Sequence, residues 1–233
     1  MKFIIDPAVF DVLPTVCIGV VVAKGIDNRG EREEINALLR AAAAGVREKN
    51  TGVNLKEHPA LVCYREAFKK LGFNPNKFLS SVEALVSRVV KGGELPAING
   101  AVNLVNAVSL KYTLPMGAHD LDSMAGDIMV RFSREGETFV PFGRTEPEAV
   151  PAGELVYADE KQIRTRRWIW RQNEKGKVTA ESKNIFFPID GFTDCNLDTI
   201  FHAQKELTAD LEKFWGVRPE QFFLDQNNRS AQW

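Results

Sequence analysis

His119 sits in the stretch Leu114-Pro115-Met116-Gly117-Ala118-His119-Asp120-Leu121-Asp122, beside one acid and three residues before another. It is one of only three histidines in the 233 residues. Neighbouring carboxylates can raise the basicity of an imidazole or fix its tautomer, and such a group can hold a water for attack on an ester. The same residue can also serve as a hydrogen-bonded structural histidine in a turn. Asn103 and Asn106 lie just upstream. Being three apart, they share one face of a helix, where two side-chain amides could hold a water or a polar ligand group. As ordinary helix residues they would only interrupt an apolar surface.

A second candidate is Arg164-Thr165-Arg166-Arg167-Trp168-Ile169-Trp170-Arg171-Gln172, where arginines interleave with two tryptophans. Read as one strand, its parity puts Arg164, Arg166, Trp168, Trp170 and Gln172 on one face. Indole rings beside guanidinium groups suit the stacking of a base and the holding of a phosphate. The alternative is a core strand whose arginines pair with acids such as Glu154, Asp159 and Glu160. His58, before Pro59, and His202, near the chain end, read as structural or surface residues.

The elements that must position these groups follow from periodicity. Val16 to Ala23 is a nearly unbroken β-branched run, predicted as a strand buried on both faces. Glu31 to Lys49 has apolar residues at helical spacing behind an acidic first turn. A helix is predicted after Pro59, ending at Gly72, and another after the capping box Ser80-Ser81-Val82-Glu83. Ile98 to Tyr112, capped by Asn99, carries the asparagine pair. Beyond residue 120 short strands are predicted at 127–132, 138–142, 154–158, 163–172 and 185–189, before a closing helix at about 198–215. Helices first and strands later predict an α+β fold rather than a βαβ series. With no repeat or long linker, one compact domain over 1–233 is expected.

Composition excludes several classes. A formal net charge of −1 argues against a general nucleic-acid coat protein, so any RNA contact must be local. No DNA partner is expected. The opening Met1-Lys2-Phe3-Ile4-Ile5-Asp6-Pro7 meets an acid and a proline too early for a signal peptide. No apolar run approaches the roughly 20 residues needed to span a bilayer. A soluble, cytoplasmic protein without membrane contact is the expectation. Three scattered cysteines with apolar neighbours read as buried thiols, and scattered histidines offer no zinc site. No metal or cofactor is expected. Phosphate-loop, dinucleotide, serine-elbow and zinc-protease signatures are all missing.

Three stretches together resemble the tRNA-editing domain of the phenylalanyl-tRNA synthetase β subunit: Leu95 to Asn106, Leu114 to Asp122, and Gly153 to Glu160 with Ser182 to Phe187. The likeness covers about residues 64–192, with a strand and helix before it and a helix after it. It implies a sheet-rich, β-sandwich-like core with packed helices, and a free-standing domain that hydrolyses misacylated tRNA in trans. On this likeness His119 and Asn106 would place the water. Arg171, Gln172, Trp170, Asn103 and Asp190 would contact the amino acid or the terminal adenosine. The partner implied is the charged 3′ end of tRNA or a free amino acid, and a noncatalytic binding module of the same fold is the alternative. Two departures stand out. Pro188 falls where the family has a glutamate for the tyrosine hydroxyl, with Asp190 the next acid on that strand face. The glycine-rich pocket strand is replaced by Trp168-Ile169-Trp170-Arg171-Gln172, which would fill or reshape the cavity.

Overall fold

The computed structural model describes all residues, Met1–Trp233. The β-branched run Val16–Ala23 forms β2, which is buried along its whole length. It does so because its alternate side chains enter two different cores. Val16, Ile18, Val20 and Val22 point one way, while Cys17, Val21 and Ala23 point the other.

Twelve strands and six α-helices follow in chain order: β1 Lys2–Ile5, α1 Pro7–Val12, β2, α2 Glu33–Asn50, α3 Pro59–Lys70, α4 Ser81–Val90, α5 Gly100–Tyr112, β3 His119–Asp120, β4 Ile128–Phe132, β5 Thr138–Phe139, β6 Glu148–Ala149, β7 Leu155–Ala158, β8 Ile163–Arg166, β9 Arg171–Gln172, β10 Ile185–Phe192, α6 Leu197–Trp215, β11 Glu220–Leu224 and β12 Ser230–Gln232. The α+β class and the sandwich-like core are both present. A six-stranded sheet, β12-β1-β4-β7-β8-β9, faces a four-stranded sheet, β11-β2-β10-β3. Phe3, Ile18, Tyr157, Trp168 and Phe186 are part of the core between them.

The outer face of the four-stranded sheet is covered by α5 and α6, whose Leu104, Val108, Ile200 and Leu207 meet Val21, Phe187 and Ile189. Helix α6 approaches β2 closely: a Cβ on Gly19 would lie 2.8 Å from Ile200 Cγ2. A third apolar cluster joins α2 and α4 to the far side of α5. The helix ends follow their sequence signals. Ser80 Oγ accepts from the Glu83 amide at 3.3 Å, Asn99 caps α5, and His58 Nδ1 accepts from the Ala60 amide.

Four features depart from the sequence reading. The stretch 163–172 is two short strands and a turn, not one strand. Strands β1, β11 and β12 were not anticipated, because strands this short carry little periodic signal. The segments containing β7 and β10, which the family likeness groups as paired strands completing the pocket, lie in opposite sheets. Of the three thiols only Cys17 is fully buried, and Cys195 is exposed.

Candidate functional site

The stretch after α5 reaches the sheet because Thr113, in the left-handed region at φ 54°, ends the helix and turns the chain. Residues 115–120 then run antiparallel to β10. The Asp190 amide donates to Pro115 O at 3.0 Å, the Gly117 amide donates to Pro188 O at 3.1 Å, and His119 lies opposite Phe186. This register turns His119 inward, between the sheets. Its ring stacks on Tyr157 with centroids 6.0 Å apart and planes at 19°.

The two neighbouring acids do not serve the imidazole. Asp120 accepts from the Asp122 amide and from Ser182 Oγ, and Asp122 is engaged by Asn184. The expectation of raised basicity is therefore corrected. Burial, with a smaller effect of the Arg164 charge, lowers the His119 pKa to about 3. The ring is neutral, and Gln172 sets its tautomer. The Gln172 amide nitrogen donates to Ala118 O at 2.8 Å and lies 3.2 Å from His119 Nδ1. Gly176 O is a more distant acceptor at 3.5 Å, and an N–H on Nδ1 would face the amide hydrogens of Gln172, so Nδ1 accepts. Nε2 then carries the ring proton, so His119 presents a donor rather than a base.

Asp190 is also buried on β10, on the same face as Phe186 and Pro188 by strand alternation. Its Oδ1 accepts from Tyr157 OH at 2.6 Å and from Trp168 Nε1 at 2.7 Å. Burial pushes the carboxyl up to about 7 against these two bonds, which favour the charged form. Trp168 reaches it from an unusual turn, where Arg167 and Trp168 both have positive φ, at 46° and 58°. That turn breaks the strand parity expected for the arginine-tryptophan stretch. Arg164 and Arg166 are buried and neutralised, the first by Asp159 and the second by a bidentate bond to Glu154 at 2.8 and 2.9 Å. Trp168 is core. Only the end of the stretch faces outward: the Arg171 guanidinium lies 4.7 Å from the centroid of the half-buried Trp170 ring, with Arg167 at 4.6 Å.

His119, Asp190, Trp170, Arg171 and Gln172 line one cavity of about 110 Å³, together with Tyr157, Thr165 and Pro188 among others. Arg32 Nε is the sole side-chain nitrogen or oxygen sealed from solvent without a partner. His119 Nε2 and Asp190 Oδ2 have no protein partner either, so both must open onto the cavity that their residues line. With Asp190 ionised, above about pH 7, the site thus offers one free donor and one free acceptor. The two helix asparagines are elsewhere. Asn103 is buried, donating to Asn36 Oδ1 at 2.8 Å and accepting from the Ile98 amide at 2.9 Å. Asn106 is half-buried on α5 and does not line the cavity. Tyr157 and Thr165 escaped the sequence reading, because strand alternation marks them as inward-facing but not which opposing residue they meet.

The sequence profile of the B3/4 domain matches residues 63–210. Among curated proteins, the phenylalanine-tRNA ligase beta subunit of Fusobacterium nucleatum is 35% identical over 122 residues, which are 52% of this chain and 15% of that subunit. Its counterpart in Gloeobacter violaceus is 38% identical over 80 residues, 34% of this chain and 10% of that subunit. Among solved structures, an N-terminal fragment of the phenylalanyl-tRNA synthetase beta subunit from Pyrococcus horikoshii matches with a TM-score of 0.53 at 11% identity. It covers 95% of this chain and 53% of that one, a likeness of fold. No helix here is long and apolar enough to cross a membrane. With the profile spanning well over half of the residues, and the cavity lying within the matched span, the chain belongs to the B3/4 domain family.

Proposed function

We propose that this protein binds the aminoacyl end of charged tRNA and hydrolyses the ester of misacylated tRNA, acting in the cytoplasm where that substrate is found. The observation that carries the reading is that His119 and Asp190 line one small cavity, each with an unpartnered side-chain atom, Nε2 and Oδ2. Its membership in a family whose relatives are parts of phenylalanine-tRNA ligase supplies the substrate class. An aminoacyl ester is reactive enough that orientation and oxyanion binding can suffice without a covalent nucleophile. Water adds to the carbonyl carbon, His119 Nε2–H donates to the developing oxyanion, and the bond to the ribose oxygen breaks. The proton lost by water ends on that ribose oxygen. Trp170 and Arg171 at the edge of the cavity offer a stacking face and a cation for the terminal adenosine and its phosphate. Asn106 takes no part in this reading.

Release of labelled amino acid from a panel of charged tRNAs tests it. Replacing His119 by Leu, which offers no hydrogen-bond donor, should slow release by about a hundredfold, the usual cost of one oxyanion donor. No release from any charged tRNA would defeat the hydrolytic claim. A second reading, a noncatalytic tRNA- or amino-acid-binding module, is favoured by one observation: His119, held neutral down to about pH 3, offers no base near neutrality. Saturable binding without turnover would establish it, and turnover abolished by His119→Leu would exclude it.

A further inference from the structure

Resting on the reading of the cavity as the acyl subsite, we infer that it accepts small aminoacyl groups bearing a side-chain hydroxyl, seryl and threonyl, with Asp190 Oδ2 as the acceptor for that hydroxyl. Size comes first. An apolar cavity of ~150 Å³ is known to be large enough for a benzene ring. This cavity is about 110 Å³ and must also take the α-carbon and the ester. Trp168 and Ile169 in its inner wall are core residues with almost no exposure, fixed by the packing of both sheets, while the more exposed Trp170, Arg171 and Gln172 form its open side. The space beside the rigid wall therefore favours a side chain of two or three heavy atoms over a phenyl or phenol ring.

Polarity comes second. Tyr157 and Trp168 hold Oδ1 of a carboxyl that is 3% exposed, leaving Oδ2 as the one unmatched acceptor on this group. An alanyl or valyl side chain in that space would bury Oδ2 without a partner, while a hydroxyl would satisfy it. Sites built around a buried hydrogen-bonding group reject an isostere lacking the matching hydroxyl far more strongly than apolar pockets reject a missing methylene. The carboxylate thus selects among the acyl groups that the volume admits.

Asn at this position makes a pointed test. Its carbonyl oxygen must stay with the Tyr157 and Trp168 donors, so its NH2 turns to the cavity and the free acceptor becomes a donor. The measurement is calorimetric binding of stable amide analogues, 3′-amino-3′-deoxyadenosine acylated with serine, threonine, alanine, phenylalanine or tyrosine. In parallel, release from the five corresponding charged tRNAs is followed. The expected result is seryl and threonyl analogues binding about tenfold or more tighter than the alanyl one, the aromatic analogues weakest, and the seryl advantage reduced in Asp190→Asn, where the hydroxyl accepts from a neutral amide in place of donating to a carboxylate. Seryl binding without release would keep this inference and remove the hydrolase reading. Aromatic analogues binding as well as seryl, or equal binding of seryl and alanyl, would overturn the inference, even if tyrosine release upheld hydrolysis. Binding of none would overturn both. Should Asp190→Asn fail to fold, the order of the five analogues on the parent protein still decides.

Discussion

At the scale of single residues, the two groups that face the cavity are tuned in opposite senses, and acid titration should reveal both. His119 is lowered from 6.5 to about 3, chiefly by burial and then by the Arg164 charge. A depressed pKa gives stability that is present above pH 6.5 and lost as pH falls toward 3. Asp190 is raised from 3.8 to about 7 by burial, so its contribution is present below pH 3.8 and lost as pH rises toward 7. Between roughly pH 4 and 6.5 the two oppose, because the unfolded chain gains a proton at the histidine where the folded one holds an extra proton at the aspartate. Urea unfolding across this range should therefore separate them. Asp190→Asn should lose stability on acidification more steeply than the parent, and His119→Gln should lose it more steeply as pH rises from 3.8 to 7. Variant and parent curves that stay parallel would contradict the burial assigned to both groups.

At the scale of elements, the turn between β8 and β9 does the positioning, and it does so under strain. Arg167 at φ 46° occupies a region that costs a side-chain-bearing residue about 1–2 kcal/mol. What holds it there is visible: its guanidinium lies 3.9 Å from the Phe78 ring centroid and 4.6 Å from that of Trp170. Each such contact contributes about 0.5–1 kcal/mol where partly exposed, so strain and stacking nearly balance. Arg167→Gly relieves the strain but loses the stacking and the 3.4 Å ion pair with Glu154, whereas Arg167→Ala loses the same contacts and keeps the strain, so the alanine variant should be the less stable of the two by about 1–2 kcal/mol. Thermal unfolding of the two variants checks this, and equal losses would mean that the turn is not strained. The element also explains why the arginine-tryptophan stretch misled. Its residue types suit a strand throughout, and nothing local announces that Trp168 must fold back to reach Asp190 on the other sheet.

At the scale of the whole molecule, the two sheets are tied together at the chain ends. β1 pairs with β12, and Trp233 stacks on Phe186 at 5.6 Å and 22°, directly behind the His119 ring. Trp233→Ala should cost about 2 kcal/mol for a half-buried indole, and should shift the His119 ring resonances in a proton NMR spectrum although residue 233 does not line the cavity. An unmoved His119 signal would show that the wall does not transmit the loss. Much of this architecture was legible beforehand. Val16–Ala23 reads as buried on both faces because it is apolar at every parity, the helix starts follow Ser80, Asn99 and Pro59, and the α+β class follows from where periodicity changes. His119 and the Arg171-Gln172 pair could be nominated from residue type. What tertiary structure alone decided is which nominees meet. Asn103 and Asn106 share a helix with a conspicuous polar face, yet that helix packs on the outer side of the four-stranded sheet, so neither lines the cavity between the sheets. Asp190 and Tyr157 meet because strands 33 residues apart in sequence face each other across a core. Sequence fixes periodicity, and so which side of its own element a residue faces, but the partner across the core is set by long-range packing, which leaves no local trace.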